Sequence, residues 1–222
     1  MESRESKGWK PPRLLAVTDR TLCLPGQFLS EIEELYRLGV ALQLREKSLS
    51  IEEFTPLAQQ VSQIAQRYQV PFDINVGREK AEQRLRLALE LNAVGIQIPE
   101  KSISVKRARE LGRGQLRIGR SIHQKTMAEM IKDDLPDFFI AAPIWAPKDK
   151  SGSPLGLKGL EKICRQFSVP VLALGGVTPD NVAEVVSAGA WGAAVRSGVW
   201  GLSSENVREK IGQYLSAWPT SV

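Results

Sequence analysis

The chain contains a single histidine, His123, in the stretch Gly119-Arg120-Ser121-Ile122-His123. The apolar run before it is typical of a buried β-strand, which places the imidazole at the end of that strand. Imidazole gains and loses its charge near neutral pH, so it can take up and release a proton in one catalytic cycle. A lone histidine is more often a packing or surface residue. The residues at the other strand ends therefore decide between packing and proton transfer.

Three polar residues alternate at the end of the apolar run that begins at Ala41. Gln43, Arg45 and Lys47 are two positions apart, and side chains with this spacing in a strand point to the same side. Two cations on the inner side of a sheet are costly to bury unless a partner neutralises them. We interpret these residues as a clamp for an anion. The alternative is that Arg45 and Lys47 lie beyond the strand end and are solvated.

Two glycine-containing turns follow the last two apolar runs. The first reads Gly175-Gly176-Val177-Thr178-Pro179 and the second Arg196-Ser197-Gly198. Glycine lets backbone N–H groups approach a ligand, and Thr178 before Pro179 predicts a helix N-cap followed by proline at the first helical position. Unpaired N–H donors at helix starts attract anions. We therefore predict a phosphate site formed by Gly175, Gly176, Arg196 and Ser197.

Eight short apolar runs alternate with amphipathic segments from residue 14 onward. The runs are nearly continuous in apolar residues, as expected for strands covered on both faces. The intervening segments, such as 51–65 and 81–91, repeat apolar residues every three or four positions, which predicts helices. The predicted strands are Leu14–Asp19, Ala41–Glu46, Phe72–Val76, Gly95–Ile98, Leu116–Ser121, Phe138–Pro143, Pro170–Leu174 and Ala193–Ser197.

This repetition predicts an α/β protein that forms a single (β/α)8 TIM barrel. The main alternative, an open doubly wound sheet, would carry a glycine-rich fingerprint after its first strand. Here the first run leads into Thr18-Asp19-Arg20-Thr21, and the chain has no GxGxxG or GxxxxGK[ST] pattern. In barrel enzymes the chemistry lies at the C-terminal ends of the strands, and a phosphate commonly binds after strands seven and eight. His123, Asn75 and both glycine turns fall at those ends.

A long segment from Pro143 to Gly156 follows the sixth predicted strand. It is rich in lysine, serine, glycine and proline and includes Lys150. Such a loop at the catalytic face is typical of a mobile lid. The alternative is a charged surface loop without a role.

Composition limits the classes of protein that remain. With 222 residues the chain is long enough for one core, which we place in residues 13–222 after a flexible polar tail of residues 1–12. No apolar run approaches the roughly 20 residues that cross a bilayer, and the tail has no signal-peptide pattern. We expect a cytoplasmic protein without a membrane partner.

Cysteine and charge exclude two further kinds of site. Cys23 and Cys164 form no CxxC pair, and we expect two semi-buried thiols away from the strand ends. With one histidine and two cysteines, a zinc site is not expected. The net charge is +5, but the basic residues are interleaved with acidic ones and form no stripe, so we expect no nucleic-acid partner.

These residues together resemble the thiamin phosphate synthase superfamily, and within it the TenI-like branch. The similarity covers residues 14 to 202. QLREK at 43–47 and the glycine pair after the seventh strand are typical of the superfamily, whereas GRSIH is typical of the branch. The matching stretches are 43–47, 74–75, 119–123, the 143–156 loop with Lys150, 175–179 and 196–197.

The resemblance also shows where this chain departs from the synthases. In those enzymes two aspartates, one after the third strand and one after the fourth, hold the magnesium that binds the pyrimidine diphosphate. This chain has Val76 and Ser102 at the matching places, and neither can replace a carboxylate for a hard cation. Without the metal, displacement of diphosphate loses its main source of charge neutralisation. We therefore expect no metal and no other cofactor, although a synthase could use the nearby Glu100 as a displaced ligand.

The TenI-like branch is similar to the same barrel without the metal pair and with a histidine after strand five. It implies thiazole tautomerase activity, in which a carboxylated thiazole phosphate tautomer is aromatised by moving a proton from ring C2 to the exocyclic carbon. One base that removes the proton and returns it on the same face is sufficient. In this interpretation His123 relays the proton, and Ser121 orients it or the substrate.

The same resemblance implies the binding roles. Arg45 and Lys47 would engage the substrate carboxylate or another anionic end of the substrate, and the remaining substrate contacts would be Gln43, Asn75 and Lys150. Arg196 stands where the family often has a small apolar residue, so it could instead turn away and pair with a carboxylate. Two alternatives remain: a thiamin phosphate synthase that joins hydroxymethylpyrimidine diphosphate to thiazole phosphate, and a non-catalytic regulatory barrel that binds a phosphorylated ligand. We expect a homodimer.

Overall fold

The computed structural model describes residues 9–123, 135–146 and 153–218. Eight parallel strands form a closed barrel in chain order, and the first strand pairs with the last. This confirms the predicted (β/α)8 barrel. The strands are β1 Leu14–Val17, β2 Ala41–Leu44, β3 Phe72–Asn75, β4 Gly95–Ile98, β5 Arg117–Ile122, β6 Phe138–Ala141, β7 Val171–Leu174 and β8 Gly192–Val195.

Seven α-helices lie in the described residues and cover the outside of the barrel. None of them is long and apolar enough to span a membrane. They are α1 Phe28–Arg37, α2 Ile51–Tyr68, α3 Ala81–Glu90, α4 Val105–Leu111, α5 Gly156–Gln166, α6 Val182–Ser187 and α7 Ser204–Ser216.

Five strands end earlier than the apolar pattern predicts, namely β1, β2, β3, β6 and β8. β4 and β7 end as predicted, and β5 ends one residue later than predicted. β1 ends at Val17 rather than Asp19, because the Asp19 side chain accepts from the Thr21 N–H and starts a short 3₁₀ turn. β2 ends at Leu44 rather than Glu46. The polar residues at these ends therefore belong to the loops that form the mouth of the barrel.

Helix α2 shows why the amphipathic pattern predicts the outer layer. Ser50 accepts from the Glu53 N–H while the Glu53 side chain accepts from the Ser50 N–H, so a capping box starts the helix. Phe54, Ala58 and Val61 recur at helical spacing and are fully buried. They belong to the larger core cluster, which lies between the strands and the helices.

The predicted N-cap hydroxyl of Thr178 is a point that the structure corrects. Helix α6 begins at Val182, whose N–H donates to the Thr178 carbonyl at 3.0 Å. The side-chain contact in this turn comes from Asn181, whose Oδ1 accepts from the Thr178 N–H at 2.8 Å. The side-chain amide of Asn181, rather than the Thr178 hydroxyl, therefore makes the side-chain hydrogen bond in this turn.

The interior of the barrel is divided into an apolar and a polar sector. Leu15 on β1, Ile140 on β6 and Leu172 on β7 belong to an apolar cluster inside the barrel. Strand register places Gln43, Asp73 and Gly95 in one row of the opposite sector. The polar sector extends up to the mouth of the barrel, where the candidate site is expected.

Residues 9–12 pack against the barrel at its N-terminal end instead of forming part of a free tail. The Trp9 ring lies 6.0 Å from the Phe138 ring inside the barrel. Trp191 donates from Nε1 to the Pro11 carbonyl at 2.6 Å, and the Lys10 ammonium lies 4.1 Å from the Trp191 ring centroid. Aromatic and cation–π contacts of this kind anchor residues 9–11 below the strands, opposite the mouth.

Candidate active site

Amide side chains on the polar sector form the floor of the mouth. Asn75 donates from Nδ2 to Gln43 Oε1 at 3.2 Å, and Gln97 donates from Nε2 to Ser121 Oγ at 3.1 Å. Within the described residues, Gln43 Nε2 and Gln97 Oε1 are buried without a hydrogen-bond partner. Because buried polar atoms are normally paired, this unpaired donor and acceptor suit a polar ligand.

The loop after β2 is held in place by a buried carboxylate that the sequence analysis did not assign. Thr18 donates from Oγ1 to Glu46 Oε1 at 2.7 Å, and the Arg45 N–H donates to Thr18 Oγ1 at 2.8 Å. Burial raises the pKa of Glu46, and its hydrogen bond with Thr18 opposes that rise. Glu46 therefore ties the loops after β1 and β2 together. Its signal in the sequence was its place within QLREK.

A second unassigned residue, Arg84 of α3, connects the loop after β2 with the loop after β3. Its guanidinium donates to the carbonyls of Asn75, Glu46 and Leu49 at 3.3, 3.0 and 3.1 Å, respectively. It also lies 4.0 Å from the centroid of the Phe54 ring. A buried cation that binds three carbonyls of the loops after β2 and β3 fixes their relative position. No local pattern in the helical segment distinguishes it from the other arginines there.

Two arginines, Arg45 and Arg196, contribute positive charge to the mouth. Burial, followed by the nearby Arg196, lowers the pKa of Arg45, and Asp19 opposes that effect. Arg196 Nη1 lies 3.8 Å from Asp19 Oδ2, with both side chains partly exposed. Arg196 therefore does approach a carboxylate, as the alternative anticipated, but it remains close enough to Arg45 to repel it. Lys47 lies on the exposed part of the loop after β2.

The predicted phosphate turns pack closely against the loop after β6. Gly175 and Gly176 have φ of 100° and 72°, in the left-handed region that favours glycine. A Cβ at Gly175 would lie 2.9 Å from Pro143 Cβ, and one at Gly176 would lie 2.8 Å from Trp145 Cβ. Any larger residue would push these loops apart. Binding of phosphate by these two glycines, Arg196 and Ser197 stays a prediction.

The predicted lid is described only at its two ends. The Leu155 N–H donates to the Pro143 carbonyl at 2.8 Å, and the Gly156 N–H donates to the Ile144 carbonyl at 3.0 Å. These bonds hold the ends of the loop together beside the mouth. Lys150 lies outside the described residues, so its predicted role is not addressed.

His123 follows β5 and faces a carboxylate from the neighbouring loop. Its Nδ1 lies 3.2 Å from Glu100 Oε2, and the two side chains are 42% and 19% exposed. Nδ1 itself is screened from solvent, so the exposed surface of the ring belongs to its other atoms. Ser121, by contrast, accepts a hydrogen bond from Gln97. Glu100, rather than Ser121, therefore has the described contact that can orient the imidazole.

The positions that the resemblance assigns to metal-binding aspartates do not suit a magnesium ion. Val76 is fully buried in the core, and Ser102 donates from Oγ to the Gly77 carbonyl at 2.5 Å. Across residues 9–123, 135–146 and 153–218, no three histidine, cysteine or acidic side chains are grouped as metal ligands. An aliphatic side chain and a hydroxyl engaged with the backbone are poor ligands for a hard cation.

Cys23 is closer to the mouth than the sequence indicates. It lies in the loop after β1, with Sγ 3.8 Å from the Asp19 carbonyl oxygen. Burial and the nearby Glu31 raise the pKa of the Cys23 thiol to about 12, and burial raises that of Cys164 to about 11. Both thiols are therefore protonated at neutral pH and are poor nucleophiles.

The fold and this mouth define the chain as a (β/α)8 barrel whose polar mouth, with two neighbouring arginines, lies at the C-terminal ends of the strands. It belongs to the thiamine monophosphate synthase family, whose model matches residues 14–199. Membership of this family, which confirms the resemblance, places the chain among the enzymes of thiamin biosynthesis.

Individual relatives agree with this assignment along nearly their whole length. A putative thiamine-phosphate synthase 2 of Aquifex aeolicus is 31% identical over 185 residues, covering 82% of this chain and 95% of that protein. Thiamine-phosphate synthase 2 of Streptococcus pneumoniae is 30% identical over 207 residues, covering 91% and 93%. A solved thiamine phosphate pyrophosphorylase from Pyrococcus furiosus matches with a TM-score of 0.77 at 28% identity, covering 92% of this chain and 94% of that one. These names favour the synthase alternative over the tautomerase.

Proposed function

We propose that this chain acts on a phosphorylated thiazole held at the mouth of the barrel and catalyses its tautomerisation without a metal. The observation that carries the proposal is the contrast between two neighbouring places at the mouth. A partly exposed imidazole follows β5, whereas a buried valine, Val76, and a backbone-bonded Ser102 stand where the resemblance assigns magnesium ligands. The mouth therefore offers a group for proton transfer, but no carboxylate at the two positions where displacement of diphosphate would need a magnesium ligand.

The reaction needs one group that accepts a proton and gives it back. Neutral His123 takes the proton from ring C2 of the thiazole, and the C–H electron pair enters the ring π system. The exocyclic carbon then takes the proton from the imidazolium, which restores neutral His123 and leaves an aromatic ring. Atoms and charge balance without a redox or metal partner.

The other residues of the mouth would bind and orient the substrate. Arg45 and Arg196 offer positive charge to its carboxylate or phosphate, and the turn at Gly175 and Gly176 offers backbone donors. The unpaired amide atoms of Gln43 and Gln97 can contact polar atoms of the ring. Because these groups lie on different strands, they surround the ligand.

The second candidate function is that of a thiamine-phosphate synthase, which the names of the relatives favour. It would need magnesium to neutralise the diphosphate. Glu100 is the displaced ligand that the sequence offers, but its described partner is His123. A synthase would therefore have to bind the metal with a ligand set unlike that of the family pattern.

One experiment distinguishes the candidates. The purified chain is supplied with the carboxylated thiazole tautomer in EDTA and, separately, with thiazole phosphate, pyrimidine diphosphate and magnesium. We expect the ultraviolet absorbance of the aromatic thiazole to appear in EDTA and to depend on His123. Formation of thiamin phosphate without tautomer turnover would replace the proposal with the synthase. Failure of both reactions would indicate a non-catalytic binding barrel.

A further inference from the structure

We propose that Glu100 is a positioning residue that holds His123 with its proton on Nδ1, so that Nε2 is the base. The consequence for turnover rests on the proposed proton transfer, whereas the orientation of the ring does not. Neither the family pattern nor the resemblance assigns this role to Glu100.

The two side chains meet because β4 and β5 are neighbours in the barrel. Ile98, the last residue of β4, pairs with Arg120 of β5. Glu100 is two residues beyond Ile98, and His123 is three residues beyond Arg120. Both loops therefore begin on the same rim, and the Glu100 carboxylate approaches the imidazole to 3.2 Å.

The surroundings of the ring distinguish its two nitrogens. Nδ1 is screened from solvent beside the Glu100 carboxylate, although 42% of the side chain is exposed. A carboxylate can only accept a hydrogen bond, so it favours the tautomer with the proton on Nδ1. In that tautomer Nε2 is the unprotonated nitrogen, which is the state that a general base requires.

The same contact serves the second half of the proposed reaction. When His123 carries the transferred proton, it is an imidazolium 3.2 Å from an acidic side chain. A carboxylate at this distance stabilises the charged ring and keeps it in place until the proton is returned. Ser121 makes a different contact, with Gln97, so it is not an equivalent partner for the ring.

The single histidine allows a direct test of the tautomer. With ¹⁵N-histidine incorporated, the side chain gives only two ring-nitrogen resonances, which need no further assignment to a residue. At a pH where the imidazole is neutral, we expect a protonated Nδ1 and an unprotonated Nε2. In Glu100→Gln the two shifts should move toward the Nε2–H form, because the glutamine amide can donate as well as accept.

The control is Glu110→Gln, which removes a carboxylate from α4 that lies 3.7 Å from Arg107 and is 54% exposed. It should leave both resonances unchanged. Identical spectra for the parent and Glu100→Gln, or a parent with its proton on Nε2, would overturn the proposal.

Kinetics separate this proposal from the proposed function. If His123 relays the proton, Glu100→Gln should lower kcat by roughly tenfold or more with little change in KM, because the ring loses the acceptor that selects its tautomer. Glu100→Asp, which keeps the acceptor, should restore part of kcat. A tautomer shift in a protein without turnover would retain the positioning role and reject the tautomerase. Turnover without a tautomer shift would do the reverse.

Discussion

At the scale of single residues, the side chains at the mouth have different physical roles. His123 has an exposed edge that can meet a substrate, and Glu100 lies against its screened nitrogen. Arg45 and Arg196 repel each other, and Asp19 partly relieves that repulsion. An anionic ligand would neutralise both cations. We therefore expect a change at His123 to affect turnover and a change at Arg196 to affect ligand binding.

His123→Asn should abolish the proton relay while keeping the site assembled. Asparagine is of similar size, and the predicted phosphate contacts lie on other strands. Tautomer turnover should fall by about 10²- to 10⁴-fold, as expected for losing a general acid–base group. Stopped assays in EDTA measure the rate, and calorimetry with thiazole phosphate measures the retained affinity. Near-parental turnover would show that His123 is not the relay.

Arg196→Ala should weaken substrate binding more than it slows chemistry. A charge-assisted hydrogen bond contributes about 1.5–3 kcal/mol, so we expect KM to rise by roughly tenfold or more, with kcat changing less. Arg165→Ala, which removes a largely exposed arginine paired with Glu161 on α5, is the control. An unchanged KM would mean that Arg196 pairs with Asp19 alone and does not face the ligand.

At the scale of elements, the loops after β1, β2 and β3 act as one unit. Glu46 connects the first two through Thr18 and the Arg20 N–H. Arg84 connects the loops after β2 and β3 through three carbonyls. The position of Arg45 at the mouth therefore depends on residues that never touch the ligand.

Arg84→Met should destabilise the protein and loosen the site. Methionine keeps much of the apolar stem but leaves three backbone carbonyls without their donor. Each buried unpaired group costs about 1–3 kcal/mol, so the free energy of unfolding should fall by at least about 2 kcal/mol. Urea denaturation measures this loss, and Arg86→Met, an exposed site on the same helix, is the control. Equal stability of both variants would contradict the role of Arg84 in connecting the loops after β2 and β3.

At the scale of the whole molecule, the polar sector inside the barrel includes an acidic side chain in the same row as Gln43. Asp73 faces the interior from β3, and a Cβ at Gly95 would lie 2.9 Å from its Oδ1. Burial raises its pKa from 3.8 to about 7. Between these two values the folded state binds more protons than the unfolded state, so stability decreases as the pH rises through this window.

Asp73→Asn should therefore flatten the dependence of stability on pH. Relative to the parent, the variant should gain stability between pH 4 and pH 8, by up to roughly 4 kcal/mol if the full shift is expressed. Urea denaturation at several pH values measures the difference. Asp180→Asn, at an exposed position, should follow the parent. Parallel curves for parent and Asp73→Asn would show that the carboxyl does not titrate in this window.

Most of the fold could be predicted because its signals are local. Each strand is a short apolar run and each helix an amphipathic segment, so the eight units are visible one at a time. β4 is found with the predicted bounds, whereas the ends of β1 and β2 were set too late. Strand ends depend on where polar side chains such as Asp19 begin to bond with the next turn, which hydropathy does not report.

The sequence by itself determined the family, the barrel and the set of residues at the C-terminal strand ends, because a closed parallel barrel brings those ends to one face. Tertiary structure alone decided which of them touch. Three contacts illustrate this: Glu100 pairs with His123, Arg196 approaches Asp19, and Arg84 donates to the Asn75 carbonyl. The two residues of each contact are separated by between 9 and 177 positions in the sequence. Such contacts depend on strand register and barrel closure, which no local pattern specifies.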